Sequence, residues 1–293
     1  MSNDRFRFKK FVVEQAGAAM KVGTDGVLLG AWARVLPRPA RYLDIGTGTG
    51  VIALMLAQRT EEAGFAAESK VDAVELDGDS AVQAAANAAA SPWAGMVGVY
   101  CCGIRDFVPG CTAPLAAARG REVPQAVSEN AFGVSRIPFG TTVGERAAAG
   151  GDPLQALRYD QIVSNPPWFV DALRSPHAGR SRARHTDSLP YAELLECAVR
   201  LLAPEGIFSV VLPAENRTRF LELAHAAGLG PNRCTFVRTL AGAAPKRVLL
   251  ELAFADRCSA AVAEDTLTIE TGGAPGSYTE EYCRLTGGFY LRF

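Results

Sequence analysis

From residue 41 onward, short apolar runs alternate with helix-like runs, and the first junction between them reads Asp44-Ile45-Gly46-Thr47-Gly48-Thr49-Gly50. This alternation restricts the fold more than any other feature. Strands separated by helical crossovers pair in parallel, and a parallel sheet must be covered by helices on both faces. Strands are expected over Arg41 to Ile45, Val71 to Glu75, Val97 to Cys101, Tyr159 to Val163 and Ile207 to Leu212. Helices are expected from Val51 to about Arg59 and from Asp79 to Ala90, the latter capped by Asp77 or Asp79. Two more are expected from Pro190 to Leu202, stopped by Pro204 and Gly206, and from Glu215 to Ala227, ended by Gly228. Arg233 to Leu240 and Arg247 to Phe254 read as a closing hairpin pair. The fold class expected is α/β: a doubly wound, mainly parallel seven-stranded sheet of Rossmann-like type with helices on both faces.

Two stretches break the alternation. Residues 109–155, rich in Ala, Gly, Pro and Arg, lack periodicity and are expected to be a flexible insertion, with a substrate lid as the alternative. The last thirty residues, 263–293, are expected as a small C-terminal appendage with one strand, Thr266 to Glu270. Residues 1–32 are expected to pack on a main domain spanning 33–262.

The charge balance excludes a global positive field, because the net charge is −1 and the pI about 6.3. Any polyanionic partner must be held by local cationic patches. The seven cysteines are odd in number and lack C-x-x-C spacing, and with three histidines they form no metal constellation, so no metal is expected. The N-terminal cations are not followed by an apolar run, and the longest apolar run, Val51 to Ala57, is too short to span a bilayer. A cytoplasmic protein with no membrane partner is expected.

The glycine loop and two further sites carry chemistry. Gly46, Gly48 and Gly50, following Asp44, permit a tight turn and close ligand approach, with Thr47 between them. A dinucleotide fingerprint would need glycine at 51, where Val51 stands, so a nucleoside-type cofactor is favoured over a pyrophosphate. Glu75, ending the second strand, suits two hydrogen bonds from ribose hydroxyls. Asn165-Pro166-Pro167-Trp168 follows the fourth strand. There the Asn165 side-chain carbonyl and the Pro166 backbone carbonyl can accept both hydrogens of one amino group, the prolines stiffen the turn, and Trp168 offers a flat stacking face. Carboxyl ends of neighbouring parallel strands share one crevice, so this order implies S-adenosyl-L-methionine-dependent methyl transfer to an amino nitrogen.

That combination resembles the class I methyltransferases that act on amino groups. Phe8-Lys9-Lys10-Phe11 and the block Met20 to Trp32 are similar to the N-terminal region of the bacterial tRNA1(Val) (adenine(37)-N6)-methyltransferases. Ser91 to Ala94, Val210 to Pro213, Lys246 to Leu250 and Phe289 to Leu291 also fit that family, so the resemblance spans all but the insertion. It implies N6-methylation of adenine 37 in a valine tRNA; a monomer is expected. Methylation of an rRNA or DNA adenine, or of a protein glutamine amide, is the alternative, and a cofactor- or RNA-binding module without turnover is the non-enzymatic one. Thr24 and Asp25, ahead of the first strand, are expected to close over the methionine end of the cofactor, with Asp25 as a helix N-cap the other reading. The turn carries Trp168 where relatives often have tyrosine, which keeps stacking and loses a phenolic hydrogen bond. Gly103 stands where relatives place an acid for the cofactor's adenine, so Asp106 is the expected substitute, with backbone groups and apolar packing by Ile104 as the alternative. Lys9, Lys10, Arg180, Arg182, Arg184, Lys246 and Arg247 are the expected RNA contacts, with Phe6, Phe8 and Phe11 interleaved for stacking on unpaired bases.

Overall fold

The computed structural model describes residues 4–18, 20–115, 157–167, 190–258, 261–274 and 276–292. Its centre is one eight-stranded sheet in the order β10-β8-β9-β7-β6-β3-β4-β5. Five parallel strands form one half: β3 (Arg41–Ile45), β4 (Lys70–Glu75), β5 (Val97–Cys101), β6 (Tyr159–Ser164) and β7 (Leu202–Pro213). β9 (Arg247–Phe254) runs antiparallel between β7 and β8 (Leu229–Leu240). β10 (Ala263–Glu270) then pairs in parallel with β8. The doubly wound α/β fold expected from the alternation is present, with one more strand than the seven expected.

The helices cover both faces with apolar sides. α2 (Val51–Glu62) is buried along nearly its whole length, and α3 (Gly78–Ala90) begins at Asp77, whose carboxylate accepts from Ser80 N–H at 2.8 Å. α4 (Tyr191–Leu201) and α5 (Arg217–Ala226) cover the other face, where Tyr191 and Phe220 meet edge to face at 5.0 Å. Burying Leu43, Ile162 and Phe208 completely in the middle of the sheet supplies the hydrophobic stabilisation, roughly 1.5–3 kcal/mol per large apolar side chain.

Several boundaries differ from expectation. β7 starts at Leu202, not Ile207, and includes Pro204 and Gly206. Its register with β6 shifts between Tyr159 and Gln161, and a Cβ at Gly206 would lie 2.7 Å from the Tyr159 carbonyl. Glycine there lets the irregular strand close on its neighbour. The region from Ala263, expected as an appendage, supplies the edge strand of the main sheet and then α6 (Glu280–Thr286), which packs on α1 (Thr24–Trp32).

The N-terminal residues are built into the core. β1 (Arg5–Arg7) and β2 (Val12–Glu14) form a hairpin, and the rings of Phe8 and Phe11 stack at 4.6 Å with Trp93 against Phe11. Phe8 and Phe11 are therefore core residues, not platforms for unpaired bases. α1 lies against α2 so closely that a Cβ on Gly30 would meet Met55 Sδ at 2.7 Å. Its last residue, Trp32, donates its indole N–H to Thr235 Oγ1 at 2.9 Å, under the guanidinium of Arg233 at 3.7 Å.

Leu267, at the centre of β10, is 2% exposed. Leu267→Ala should cost about 2–5 kcal/mol in denaturant unfolding, within the single main transition. An unshifted main transition would show that β10 is not part of the cooperative sheet.

Candidate active site

The glycine loop is held from beneath by Asp44. This carboxylate is fully buried, and its Oδ2 accepts the Thr47 hydroxyl at 2.6 Å and Ala53 N–H at 3.2 Å. Burial pushes the Asp44 carboxyl up to about 7. Its Oδ1 has no hydrogen-bond partner among the described residues. Gly46 N–H and Thr47 N–H both donate to the Val74 carbonyl, at 2.9 and 3.1 Å, which lays the loop across the end of β4. Gly46, Gly48 and Gly50 have φ of 71°, 56° and 83°, the left-handed region that glycine alone adopts readily. A Cβ on Gly46 or Gly48 would meet nothing within 4 Å. The loop therefore presents backbone to open space.

Glu75 stands beside that space. One of its oxygens accepts Gly48 N–H at 2.8 Å and the other accepts Asp77 N–H at 3.0 Å. The two bonds fix the carboxylate while leaving lone pairs for a ligand. Two residues missed in the sequence complete the frame. Asn87, on α3, donates to the carbonyls of Thr49 and Glu14 at 2.9 and 2.8 Å, clamping the loop to the N-terminal hairpin. Ser164 donates its hydroxyl to the Ile45 carbonyl at 2.9 Å, tying the end of β6 to the end of β3. A lone amide in an Ala-rich helix was the only signal of Asn87, and Ser164 had none.

Asn165 follows at once. Ser164 pairs with Ile45 in the parallel register, so Asn165 leaves the sheet beside the start of the glycine loop. Its Oδ1 is buried and has no hydrogen-bond partner among the described residues, which is an acceptor set in place and unused. Pro166 is buried and Pro167 half-buried. Trp168, Arg180, Arg182 and Arg184 lie outside the described residues, as do 116–155 of the expected insertion.

At the other end of the crevice the chain turns at Gly103, and Asp106 N–H donates to the Gly103 carbonyl at 3.0 Å. That turn brings Asp106 Oδ2 within 3.4 Å of the place a Gly103 side chain would take. A carboxylate thus lies beside the position left empty by glycine. Ile104 is 5% exposed and belongs to the core shared with Phe107 and Leu194. The apolar side chain open to solvent here is Leu76, 58% exposed and 3.9 Å from the Gly103 Cβ position.

The remaining predicted residues have other partners. α1 is preceded by Gly23 with no side-chain cap, so Asp25 does not act as the cap. Its carboxylate accepts Arg247 Nε–H at 3.0 Å. Gly26 packs on Val51, which places the start of α1 near the start of α2 and the glycine loop. Lys9 donates to the Gly287 carbonyl at 2.6 Å, and Lys10 pairs with Glu62 at 2.9 Å, at the end of α2 remote from the loop. No group of three or more His, Cys, Asp or Glu among the described residues could hold a metal, and no described helix is long and apolar enough to cross a membrane.

No family model matches the chain. A tRNA1(Val) (adenine(37)-N6)-methyltransferase of Bacteroides fragilis (strain YCH46) is 39% identical over 293 residues, covering 100% of both chains. Proteins of the same name from Parabacteroides distasonis and Phocaeicola vulgatus are 38% and 40% identical over 292 residues, covering 100% and 99% of each chain respectively. Among solved structures, a predicted O-methyltransferase of Agrobacterium tumefaciens superposes with a TM-score of 0.51 at 16% identity, over 90% of this chain and 96% of that one. The methyltransferase subunit of a type I restriction-modification system from Streptococcus thermophilus gives 0.50 at 11% identity, over 92% and 52%. At these identities the structural likeness is one of fold.

The raised Asp44 pKa has a consequence for stability. A carboxyl that is harder to ionise when folded binds more protons than the unfolded chain, so its contribution is present below the ordinary value near 4 and is lost as pH rises through about 7. Asp44→Asn keeps an acceptor for Thr47 and Ala53. Thermal unfolding should show this variant more stable than the parent at pH 8, by on the order of 4 kcal/mol, with the difference vanishing near pH 4. A parallel pH dependence in both proteins would contradict the assignment.

Proposed function

The chain belongs to the tRNA1(Val) (adenine(37)-N6)-methyltransferase family, and from that premise we propose that its crevice methylates the N6 amino group of a tRNA adenine, at position 37 beside the anticodon of a valine tRNA. The observation that carries the reading is the Asn165 Oδ1, buried and without a hydrogen-bond partner among the described residues, beside a glycine loop backed by Glu75. S-adenosyl-L-methionine seated in this crevice supplies an electrophilic methyl group. Gly46, Thr47, Gly48 and Gly50 would hold it by backbone, with Asp44 bracing the loop from below. Glu75 would accept its ribose hydroxyls and Asp106 its adenine amine, and Leu76 and Ile104 would offer the ring an apolar surface. Thr24 and Asp25 would stand at the methionine end.

The chain's own groups then act on the substrate. Asn165 Oδ1 and the Pro166 carbonyl accept the two N6 hydrogens, which aims the nitrogen lone pair and draws it out of conjugation with the ring. Positive charge would move from the sulfonium to that nitrogen as the N–C bond forms and the S–C bond breaks, with S-adenosylhomocysteine leaving, so both acceptors bind the transition state more strongly than the ground state. The fixed turn means that no reorganisation is needed at that moment. The resulting ammonium is strongly acidic and loses its proton without a dedicated base. Trp168 supplies the stacking face for the adenine extruded from its own stack. Arg180, Arg182 and Arg184, with Lys246 and Arg247, provide phosphate contacts that the net charge of −1 does not supply globally.

Asn165→Ala should lower kcat on tRNA by about 10²–10³-fold, the scale of losing one preorganised polar partner, with cofactor affinity by calorimetry unchanged. Glu75→Gln should do the reverse, weakening cofactor binding by roughly 10–100-fold through loss of a charge-assisted hydrogen bond. Full turnover by the Asn165 variant would sink the catalytic assignment.

A further inference from the structure

We propose that a second recess, between the N-terminal hairpin, α1 and the β8–β10 edge of the sheet, docks the ribose–phosphate backbone of the tRNA substrate away from the reacting nucleoside. This rests on the tRNA reading above. The recess has a volume of about 590 Å³, room for one nucleotide unit.

Its position follows from the strand register. Ser164 pairs with Val210, Val210 with Leu250, Arg247 with both Pro213 and Val237, and Leu240 with Glu270. The start of β9 and the ends of β8 and β10 therefore lie on the same edge of the sheet as Asn165. Thr24 and Asp25, at the start of α1, line the recess on the side toward the glycine loop. A strand of RNA leaving the crevice along this edge meets the recess next.

Its charge is opposite to the chain's slightly negative total. Arg7, Arg238, Lys246, Arg247 and Arg292 line it against the carboxylates of Asp25 and Glu270. Asp25 is engaged by Arg247 at 3.0 Å. Arg7, Lys246 and Arg292 are exposed and have no ion-pair partner among the described residues. Arg238 uses its Nε–H on Thr268 Oγ1 at 2.9 Å, which aims the guanidinium without neutralising it. A convergence of uncompensated cations on one hollow costs self-repulsion in the free protein and is relieved by a polyanion.

The lining is also aromatic. Tyr278 is 36% exposed and its ring lies 5.3 Å from that of Tyr282, which in turn lies 6.5 Å from Tyr290. A supported tyrosine at the rim of a cationic hollow offers an unpaired base a stacking face and the adjoining phosphate a guanidinium. An acidic protein partner would use the charges but not this geometry, which favours RNA.

The test uses the full chain and a filter-binding titration of tRNA across a potassium chloride series. Arg238→Ala, Arg292→Ala and the double variant should each bind tRNA several-fold more weakly. The slope of log K against log salt should fall by about one per cation removed. KM for tRNA should rise while kcat at saturating tRNA and cofactor affinity stay unchanged. Arg238→Lys should retain the parental slope, and Tyr278→Ala should weaken binding without changing it. A double variant with parental melting temperature, affinity and slope would overturn the docking site while leaving parental methylation of tRNA intact. A parent protein that neither binds nor methylates tRNA would overturn the underlying reading, and with it this one.

Discussion

A buried carboxyl group at the end of the first parallel strand sets the geometry of everything at that edge. Among the described residues no cation pairs with Asp44, yet it sits in the core, where an isolated charge is costly. What it does there is organise backbone. One oxygen gathers the Thr47 hydroxyl and the Ala53 amide, the loop between them is forced through three left-handed glycines, and α2 begins directly behind it. Glu75 is then aligned through Gly48 N–H, and Asn87 anchors the loop's exit. The site is stiff because each of its groups is held by another that is itself buried or bonded.

The N-terminal block extends that order across the molecule. α1 bears Gly30, which lets it approach α2, and its terminal tryptophan is wedged between Thr235 and the Arg233 guanidinium. Behind it, the fully buried Glu251 is paired with Arg34 at 2.9 Å and bonded by Asn232 at 2.8 Å. The ion pair between Asp25 and Arg247 joins the start of this helix to the start of β9. One helix therefore starts beside the glycine loop and lines the basic recess, so the proposed methyl-transfer centre and the proposed RNA-docking surface share an element.

Much of this was legible before the structure. The glycine spacing after Asp44 and the strand-end positions of Glu75 and Asn165 follow from local rules, because turns and strand ends are written in adjacent residues. The nearness of Asp106 to Gly103 was legible as well, since the two lie within one turn. What was not legible depended on partners distant in sequence. β10 opens on Ala263-Glu264-Asp265-Thr266, polar because an edge strand is solvated on one side, and polarity alone resembles a tail. Phe8 and Phe11 are interleaved with cations, a pattern shared by RNA-binding arms and by a hairpin whose aromatic residues face inward. Only Trp93 and the C-terminal residues against which they pack distinguish the two. The cations of the second recess come from both ends of the chain and from two strands between, so no window of sequence could display them together.

The most direct test of the account is a label-transfer measurement. The purified full chain is incubated with methyl-labelled S-adenosyl-L-methionine and total tRNA from a strain lacking the enzyme, and the tRNA is then digested to nucleosides. The account predicts label in N6-methyladenosine alone, at position 37 of a valine tRNA. Label in any other nucleoside, or tRNA left unlabelled by a protein that binds the cofactor, would contradict it.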